Sequence, residues 1–517
     1  LGAELIAKNQ SGATRAPRVL LAASEVIGFA KTGGLADVAG SLPRSLADRG
    51  VDVSVIMPLY RAARLGRTPV TPTETTLQVK MGWQTVTGRL WRSTLPDSNV
   101  PVWLVEQPDL FDRDDSAAKR GLYQYVDSHG AKVDYSDNGE RFVFFCKAVV
   151  ATLNHIGAMP DVVHCNDWQT GPLPALLQEA AASQGKIAPR TLFTVHNIAY
   201  QGWFGRNVFA LTDLPDHLFN WRQLECQGQF NMLKAGLVFA DWLNTVSPTY
   251  AREIQTSYYG NGLEGVLIER RHVLSGIVNG VDYRHWDPAI DPHITAKYTS
   301  ATVAEGKAKC KAALQQRTGL APNPGVPLLG VIARLVEQKG IELIVRAADA
   351  LLAQDVQLAV LGEGDPHWQQ EVSKLQHRYP QRVAALIGFD EALAHLIEAG
   401  ADLFLMPSLY EPSGLNQLYS LRYGTVPIVR TTGGLADTIV DTTEETLANR
   451  TATGFRFAAH APWALRETVE KALFVFRQRP AVWRQIQQTG MACDWSWSRS
   501  AAEYERLYRQ LAGLRHG

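Results

Sequence analysis

Cysteine is scarce in this chain: five residues in 517 (Cys146, Cys165, Cys226, Cys310 and Cys493), an odd number with no CxxC pair. That excludes a disulfide framework and a cysteine zinc site, and it suits a reducing compartment. Net charge is missing as well, because 51 Lys and Arg balance 51 Asp and Glu. Without a global field there is no electrostatic reason to expect nucleic acid or an anionic membrane as partner, so any anion must be met locally. No stretch approaches the roughly 18 apolar residues of a membrane span, and the opening LGAELIAKNQSGATRAP lacks the apolar core of a signal peptide. The chain starts at Leu1 rather than Met. Residues 1–16 read as a flexible N-terminal extension, either an added segment or the tail of a cleaved transit peptide.

What is present is an ordinary globular balance, 46% apolar against 20% charged, which rules out disorder and collagen-like repeats. The chain is too long for one growing core, so two domains, or at most three, are expected. Short apolar runs bounded by Gly, Pro or Asp recur at 18–24, 51–58, 100–105, 160–166, 190–197 and 242–248, and again at 327–333, 356–362, 383–388, 401–407 and 426–430. Runs of about six residues that are apolar on both faces and alternate with helix-period segments predict buried parallel strands and crossover helices. The fold class is α/β, with two Rossmann-like domains over 17–274 and 275–493. Helices are predicted over 341–353, 303–316 and 501–514, the last following the aromatic kink DWSW at 494–497. Residues 494–517 form a C-terminal helix crossing back to the first domain. The crossings near Leu274 and Asp494 are the only ones the pattern indicates.

The hexapeptide TGGLAD occurs twice, at 32–37 and 432–437. Each copy follows a strand and opens a helix, so each offers backbone amides and a positive dipole end to an anion, or simply makes a tight turn. ARLVEQKG puts Arg334 and Lys339 at a strand's carboxyl end, where a guanidinium fork and an ammonium can neutralise a diphosphate or simply stand in a solvated loop. Glu411 lies in a loop before a helix, its carboxylate suited to sugar hydroxyls or to capping that helix, and the amides at 413–415 to an anion. HCNDWQTG and TVHNIAYQG bring Asp167 and His196 to neighbouring strand ends, where they either converge on one crevice or leave His196 a satisfied core residue. GxGxxG at 260–265 lacks a preceding strand and carries no dinucleotide reading. DRDD at 112–115 contains the DxD of metal-dependent sugar transferases but reads as a solvated loop.

SEVIGFAKTGGLADV, DNGERFVFF, HCNDWQTG, TVHNIAYQG, NGVD, ARLVEQKG, EPSGLNQLYSLRYG and TTGGLADT, in this order, closely resemble bacterial glycogen synthases and plant starch synthases of glycosyltransferase family 5. The match runs from about Arg18 to the C-terminus. The resemblance implies a GT-B fold, two domains facing an interdomain cleft, and retaining transfer of glucose from ADP-glucose to the non-reducing 4-OH of an α-1,4-glucan, with ADP as product. The acceptor would be glycogen, starch or a maltooligosaccharide, in the bacterial cytoplasm or alternatively the plastid stroma. No cofactor and no metal are expected.

Carried over residue by residue, Lys31 resembles the donor-binding lysine, with Gly33 and Gly34 supplying amides. Arg334 and Lys339 match the diphosphate clamp, and Glu411 the acidic group on the glucosyl unit. Asp167 and His196 line the reaction crevice, and Asn279 resembles an active-site asparagine. By the same resemblance the backbone at Ser413, Gly414 and Leu415 should hold the distal phosphate. Ser413 replaces a frequent cysteine, Phe389 stands for a tyrosine stacked on adenine, and Gln169 for a histidine. The competing readings are another retaining GT-B transferase using UDP-glucose and a catalytically silent glucan-binding scaffold.

Overall fold

The computed structural model describes residues 15–128 and 130–513. The expected extension lies outside the described residues as far as residue 14. Arg15 pairs with Asp161 at 2.7 Å, and the Arg18 amide donates to the same carboxylate at 2.9 Å. The chain divides into two compact units. One contains the described residues through Asn244, then Tyr259–Leu274 and the described residues from Ser500 onward. The other contains Thr245–Tyr258 and Ser275–Arg499. The pattern of apolar runs gives no hint that residues 245–258 group with the second unit.

The sheet of the first unit is built from β1 (Arg18–Ala22), β2 (Asp52–Pro58), β3 (Thr71–Met81), β4 (Gln84–Thr94), β5 (Pro101–Glu106), β6 (Val162–Asn166), β7 (Arg190–Val195), β8 (Trp242–Thr245) and β9 (Leu274–Gly276). Its order is β9-β8-β7-β6-β1-β2-β5-β4-β3. The pairs from β5 through β2, β1 and β6 to β7 are parallel. All six runs expected in this half are strands, one or both ends shifted by one to three residues. The long hairpin β3–β4 was not expected. It joins β5 antiparallel, and its strands alternate buried and exposed positions, so it contains no continuous apolar run to find. The chain passes from the first unit to the second between Leu274 and Ser275, inside the edge strand β9.

The second unit holds β10 (Leu328–Ile332), β11 (Gln357–Gly362), β12 (Val383–Ile387), β13 (Leu403–Met406), β14 (Val426–Arg430) and β15 (Phe455–Phe457) in the order β12-β11-β10-β13-β14-β15. Every pair is parallel. The helix Ile341–Leu352 buries Ile341, Leu343, Ile344, Ala347, Ala348, Leu351 and Leu352. Each large aliphatic among these contributes roughly 1.5–3 kcal/mol by leaving water. Helix Val303–Thr318 ends on Gly319 in the left-handed region at φ 73°, the usual glycine stop.

Reading β5-β2-β1-β6-β7-β8 and β12-β11-β10-β13-β14-β15 as 3-2-1-4-5-6 shows the doubly wound order in both units. In each, the order reverses between the first and fourth strands: β1 and β6 in one unit, β10 and β13 in the other. Ligands of such sheets bind beyond the strand ends at that reversal.

The last helix is Trp497–Gly513, beginning four residues before its expected start. From Ser500 it belongs to the first unit and buries Tyr504, Leu507, Tyr508 and Leu511. Buried His164 bridges Tyr508 OH (2.8 Å from Nδ1) and Thr194 Oγ1 (2.7 Å from Nε2). Burial lowers the pKa of this ring to about 3, so it stays neutral and both nitrogens need partners. Tyr508→Phe leaves one nitrogen unsatisfied, at a cost of about 1–3 kcal/mol. We expect the urea midpoint of the first unit to fall with its slope unchanged. An unaltered midpoint would show that the hydroxyl contributes nothing to docking this helix.

Candidate active site

In the first unit the loop after β1 turns into the helix Gly34–Asp48. Its anchor is Glu25, a buried carboxylate that accepts from the Thr32 amide and hydroxyl, both at 2.5 Å, and from the Gly33 amide at 3.1 Å. Tyr123 OH donates to it at 2.9 Å. The anion at the Gly33 amide is thus the protein's own. Gly34 is exposed with open space where a side chain would begin, and the Lys31 ammonium, half exposed, lies 2.8 Å from Asp37.

β6 runs into Asp167, whose φ of 58° and ψ of −179° are comfortable only for glycine and cost another residue about 1–3 kcal/mol. Its amide donates to Thr194 O at 3.0 Å and its Oδ1 accepts from the His196 amide at 2.7 Å, tying together the turns after β6 and β7. Part of Asp167 meets solvent. Dehydration of the carboxyl nevertheless outweighs the amide hydrogen bonds from His196 and Asn197 and lifts its pKa to about 7. His196 Nε2 lies 2.9 Å from Asn166 Oδ1, and the Asn166 amide nitrogen is committed to Ala22 O. The proton is therefore assigned to Nε2. Burial lowers the His196 pKa to about 3, keeping the ring neutral. Gln169 is buried with Oε1 unpartnered among the described residues.

In the second unit the loop after β10 carries Arg334 and Lys339. Gly340 has φ 69°, and a side chain there would begin 2.1 Å from Pro407 O. Only glycine lets this loop press on the end of β13. The approach sets Lys339 Nζ 2.6 Å from Glu411 Oε2, which also accepts from Ser408 Oγ at 3.1 Å. Arg334 is exposed, and its one described contact is Gln338 at 3.5 Å, so its guanidinium is available to a ligand. Beyond Glu411, Gly414 takes φ 69°. The Gln417 amide holds Ser413 O at 3.0 Å and Gly414 O at 3.2 Å. Helix Asn416–Tyr423 is clipped to the end of β10 by Asn416 Nδ2 on Ile332 O at 2.6 Å.

Ser413 Oγ and Asn279 Oδ1 are buried without a partner among the described residues. Buried polar atoms of this kind call for an explanation such as a bound group. Phe389 stands 85% exposed after Gly388 at the end of β12, presenting a bare aromatic face.

The structure therefore brings Lys339 together with Glu411, and Asp167 with His196. It sets Lys31 on Asp37 and leaves Arg334 and Phe389 extended. The second TGGLAD turn also holds an internal anion: Glu253 accepts from Thr432 Oγ1 at 3.0 Å and from the Gly433 amide at 3.1 Å. Sequence reasoning missed both Glu25 and Glu253. A signal existed only for Glu25, seven residues before Thr32 within the same motif.

Asp112 pairs with Arg61 at 2.7 Å, and Asp114 accepts from the Arg61 and Ala62 amides at 2.9 and 2.8 Å, so the DRDD carboxylates serve the fold. No group of three or more His, Cys, Asp or Glu among the described residues could hold a metal ion. The GxGxxG segment runs from a turn into the short helix Glu264–Glu269, with Gly265 inside the helix.

Comparison with known proteins places these loops in context. The starch synthase catalytic domain family matches residues 18–269, and the glycosyl transferases group 1 family matches residues 314–474. The chain is 49% identical over 96% of its length to the whole of a glycogen synthase from Anaeromyxobacter dehalogenans (strain 2CP-C). It is 47% identical, again over 96% of its length, to 99% of one from Thioalkalivibrio sulfidiphilus (strain HL-EbGR7). Among solved structures it is similar to the catalytic domain of starch synthase IV from Arabidopsis thaliana bound to ADP and acarbose. That match has a TM-score of 0.85 and 31% identity, covering 96% of this chain and 99% of that one. A sucrose-phosphate synthase from Thermosynechococcus elongatus, 16% identical at a TM-score of 0.55, shares the fold, with coverage of 96% of this chain and 99% of that one.

The Asp167 environment is directly measurable. Its pKa of about 7 means that the carboxyl is protonated below neutrality and ionised above it. The difference infrared spectrum of the protein against Asp167→Asn is expected to show a protonated-carboxyl band at pH 5.5 that is gone by pH 8.5. A midpoint near 4 would mean an ordinary hydrated carboxyl.

Proposed function

This chain belongs to the glycogen synthase and starch synthase family, and from that membership we propose that it elongates an α-1,4-glucan by transferring glucose from ADP-glucose to the non-reducing 4-OH with retention of the α configuration. It is a glycosyltransferase of GT-B fold. The observation that carries the reading of the site is Lys339 at 2.6 Å from Glu411, with the exposed Arg334 on the same loop, at the strand-order reversal of a doubly wound sheet.

An ammonium has three donors, so Lys339 can hold Glu411 and still give a hydrogen bond to a diphosphate oxygen, while Arg334 forks onto the same group. Negative charge grows on that diphosphate as the glycosidic bond breaks, and fixed cations there lower the barrier without reorganising. Retention follows when the leaving phosphate takes the proton of the acceptor hydroxyl and the hydroxyl attacks from the face it leaves. Glu411 grips the glucosyl hydroxyls, and Ser413 and Asn279 offer their unpartnered oxygens to the donor. Gly414 and Leu415 supply amides to the distal phosphate. Phe389 stacks on the base. In the first unit, the Lys31 ammonium and the Gly34 amide are offered to an anionic donor, while the Gly33 amide serves Glu25. Neutral His196 has its Nε2 proton committed to Asn166 Oδ1 and can only accept, through Nδ1, and ionised Asp167 is a second acceptor for sugar hydroxyls. The bacterial relatives support a cytoplasmic setting with glycogen or a maltooligosaccharide as acceptor.

Product formation on glycogen with ADP-glucose and UDP-glucose side by side tests the donor. We expect ADP-glucose to win, and a preference for UDP-glucose would replace this assignment. Arg334→Ala and Lys339→Ala should each lower kcat by about 10² to 10³-fold, the scale for losing one transition-state stabiliser. Near-normal turnover in a folded variant would remove the clamp. Turnover by desalted enzyme should survive a chelator, because two cations already meet the leaving group. A need for magnesium or manganese would overturn that account.

A further inference from the structure

We propose that Glu253 is a positioning residue for the loop that carries Glu411, acting through the second TGG turn. The inference rests on the role given above to Glu411. The helix Pro248–Glu253 and the helix Gly433–Thr438 cap each other. Glu253, at the end of one, accepts from Thr432 Oγ1 at 3.0 Å and, through both oxygens, from the Gly433 amide at 3.1 Å. Asp437, on the other, accepts from Ser247 Oγ, from the Thr249 amide at 2.9 Å and from Thr249 Oγ1 at 2.6 Å. The two carboxylates thus take up donors at both helix starts, and neither helix is long enough to hold its place alone.

What the turn holds in place is the catalytic loop. The Gly434 amide donates to Glu411 O and Pro412 O, each at 3.1 Å. Side chains at Gly433 and Gly434 would begin 2.0 Å from Glu411 O and 2.1 Å from Ser413 O. The backbones of the turn and the loop are therefore in direct contact with no side chain between them to absorb a shift. A displacement of the turn becomes a displacement of Glu411 and of the 413–415 amides. The path runs from the Glu253 carboxylate to the Gly433 amide, through one peptide to the Gly434 amide, and on to the Glu411 carbonyl. This role also explains why the second TGGLAD copy keeps both glycines while its amides are spent inside the protein.

The test is a kcat and KM comparison of Glu253→Ala, Glu253→Gln, Glu411→Ala and the double variant Glu253→Ala/Glu411→Ala, with folding checked by circular dichroism. Misplacing a reacting geometry by about 1 Å costs on the order of 10²-fold. Glu253→Ala should therefore lose about 10 to 100-fold in kcat with the glucan KM unchanged. Glu253→Gln keeps a carbonyl acceptor for the Gly433 amide and should recover most of that loss. If Glu253 acts through Glu411, the double variant should be no slower than Glu411→Ala within a factor of about 2. Normal kcat in folded Glu253→Ala, or independent multiplication of the two losses, overturns the inference. Should Glu253→Ala fail to fold, Thr432→Val, which removes one of the carboxylate's partners, reads the same split: a few-fold kcat loss supports the path and an unchanged kcat refutes it. Normal turnover in Glu411→Ala would overturn the catalytic reading and this inference together, whereas a crippled Glu411→Ala beside a normal Glu253→Ala sinks the inference alone.

Discussion

Strand order is the constraint on which the rest of this protein depends. In a parallel sheet each crossover must return on one face, and where the order reverses, successive crossovers leave toward opposite faces and open a gap beyond the strand ends. Both units have one such reversal, between β1 and β6 and between β10 and β13. The gap is where backbone amides, strained residues and charges can remain uncovered without unravelling the sheet. Lys31 and Asp167 follow the strands flanking the first reversal, and Arg334, Lys339 and Glu411 follow those flanking the second. The candidate site residues are thus confined to loops, while the buried strands beneath them carry the stability.

Charge inside these loops is handled by close pairing rather than by solvent. Glu25 and Glu253 each take a glycine amide and a threonine hydroxyl of a TGG turn, and Asp114 takes two amides at a helix start. An unsatisfied buried amide costs about 1–3 kcal/mol, and an ionised acceptor gives the stronger kind of hydrogen bond. The same amides that read from sequence as sites for a ligand anion are thereby consumed by the fold. A TGG motif shows that amides converge; it does not say whose anion they meet.

Much of the fold was legible because the signals were local. All eleven apolar runs became strands, and the helix at 341 began on the expected residue. The β3–β4 hairpin was not seen, since a strand with one wet face has no continuous apolar run. Residues 245–258 were not seen to group with the second unit because that grouping is made by Ser247, Thr249 and Glu253 reaching positions about 180 residues away in sequence. Site residues were legible as types at strand ends. Their partners were not, for the same reason of sequence distance: Lys339 and Glu411 are separated by 72 residues.

The Lys339–Glu411 pair shows what that missing information contributes. Glu411 is 5% exposed, and a buried carboxylate without a cation would be expensive to keep ionised. Lys339 provides the cation, and Ser408 Oγ adds a hydrogen bond at 3.1 Å, so the carboxylate is set before any sugar arrives. The loop is further fixed by Arg430, whose guanidinium holds the Leu409 carbonyl at 2.5 Å, and by the Gly434 amide on Glu411 O. Arg334 is the contrast, exposed and almost unbound. Under the proposed function, one cation is spent in advance on orienting the acidic group and the other is left free for the diphosphate. Such a site needs both kinds, because two free cations would leave Glu411 unpaired and two fixed ones would leave nothing to move with a leaving group.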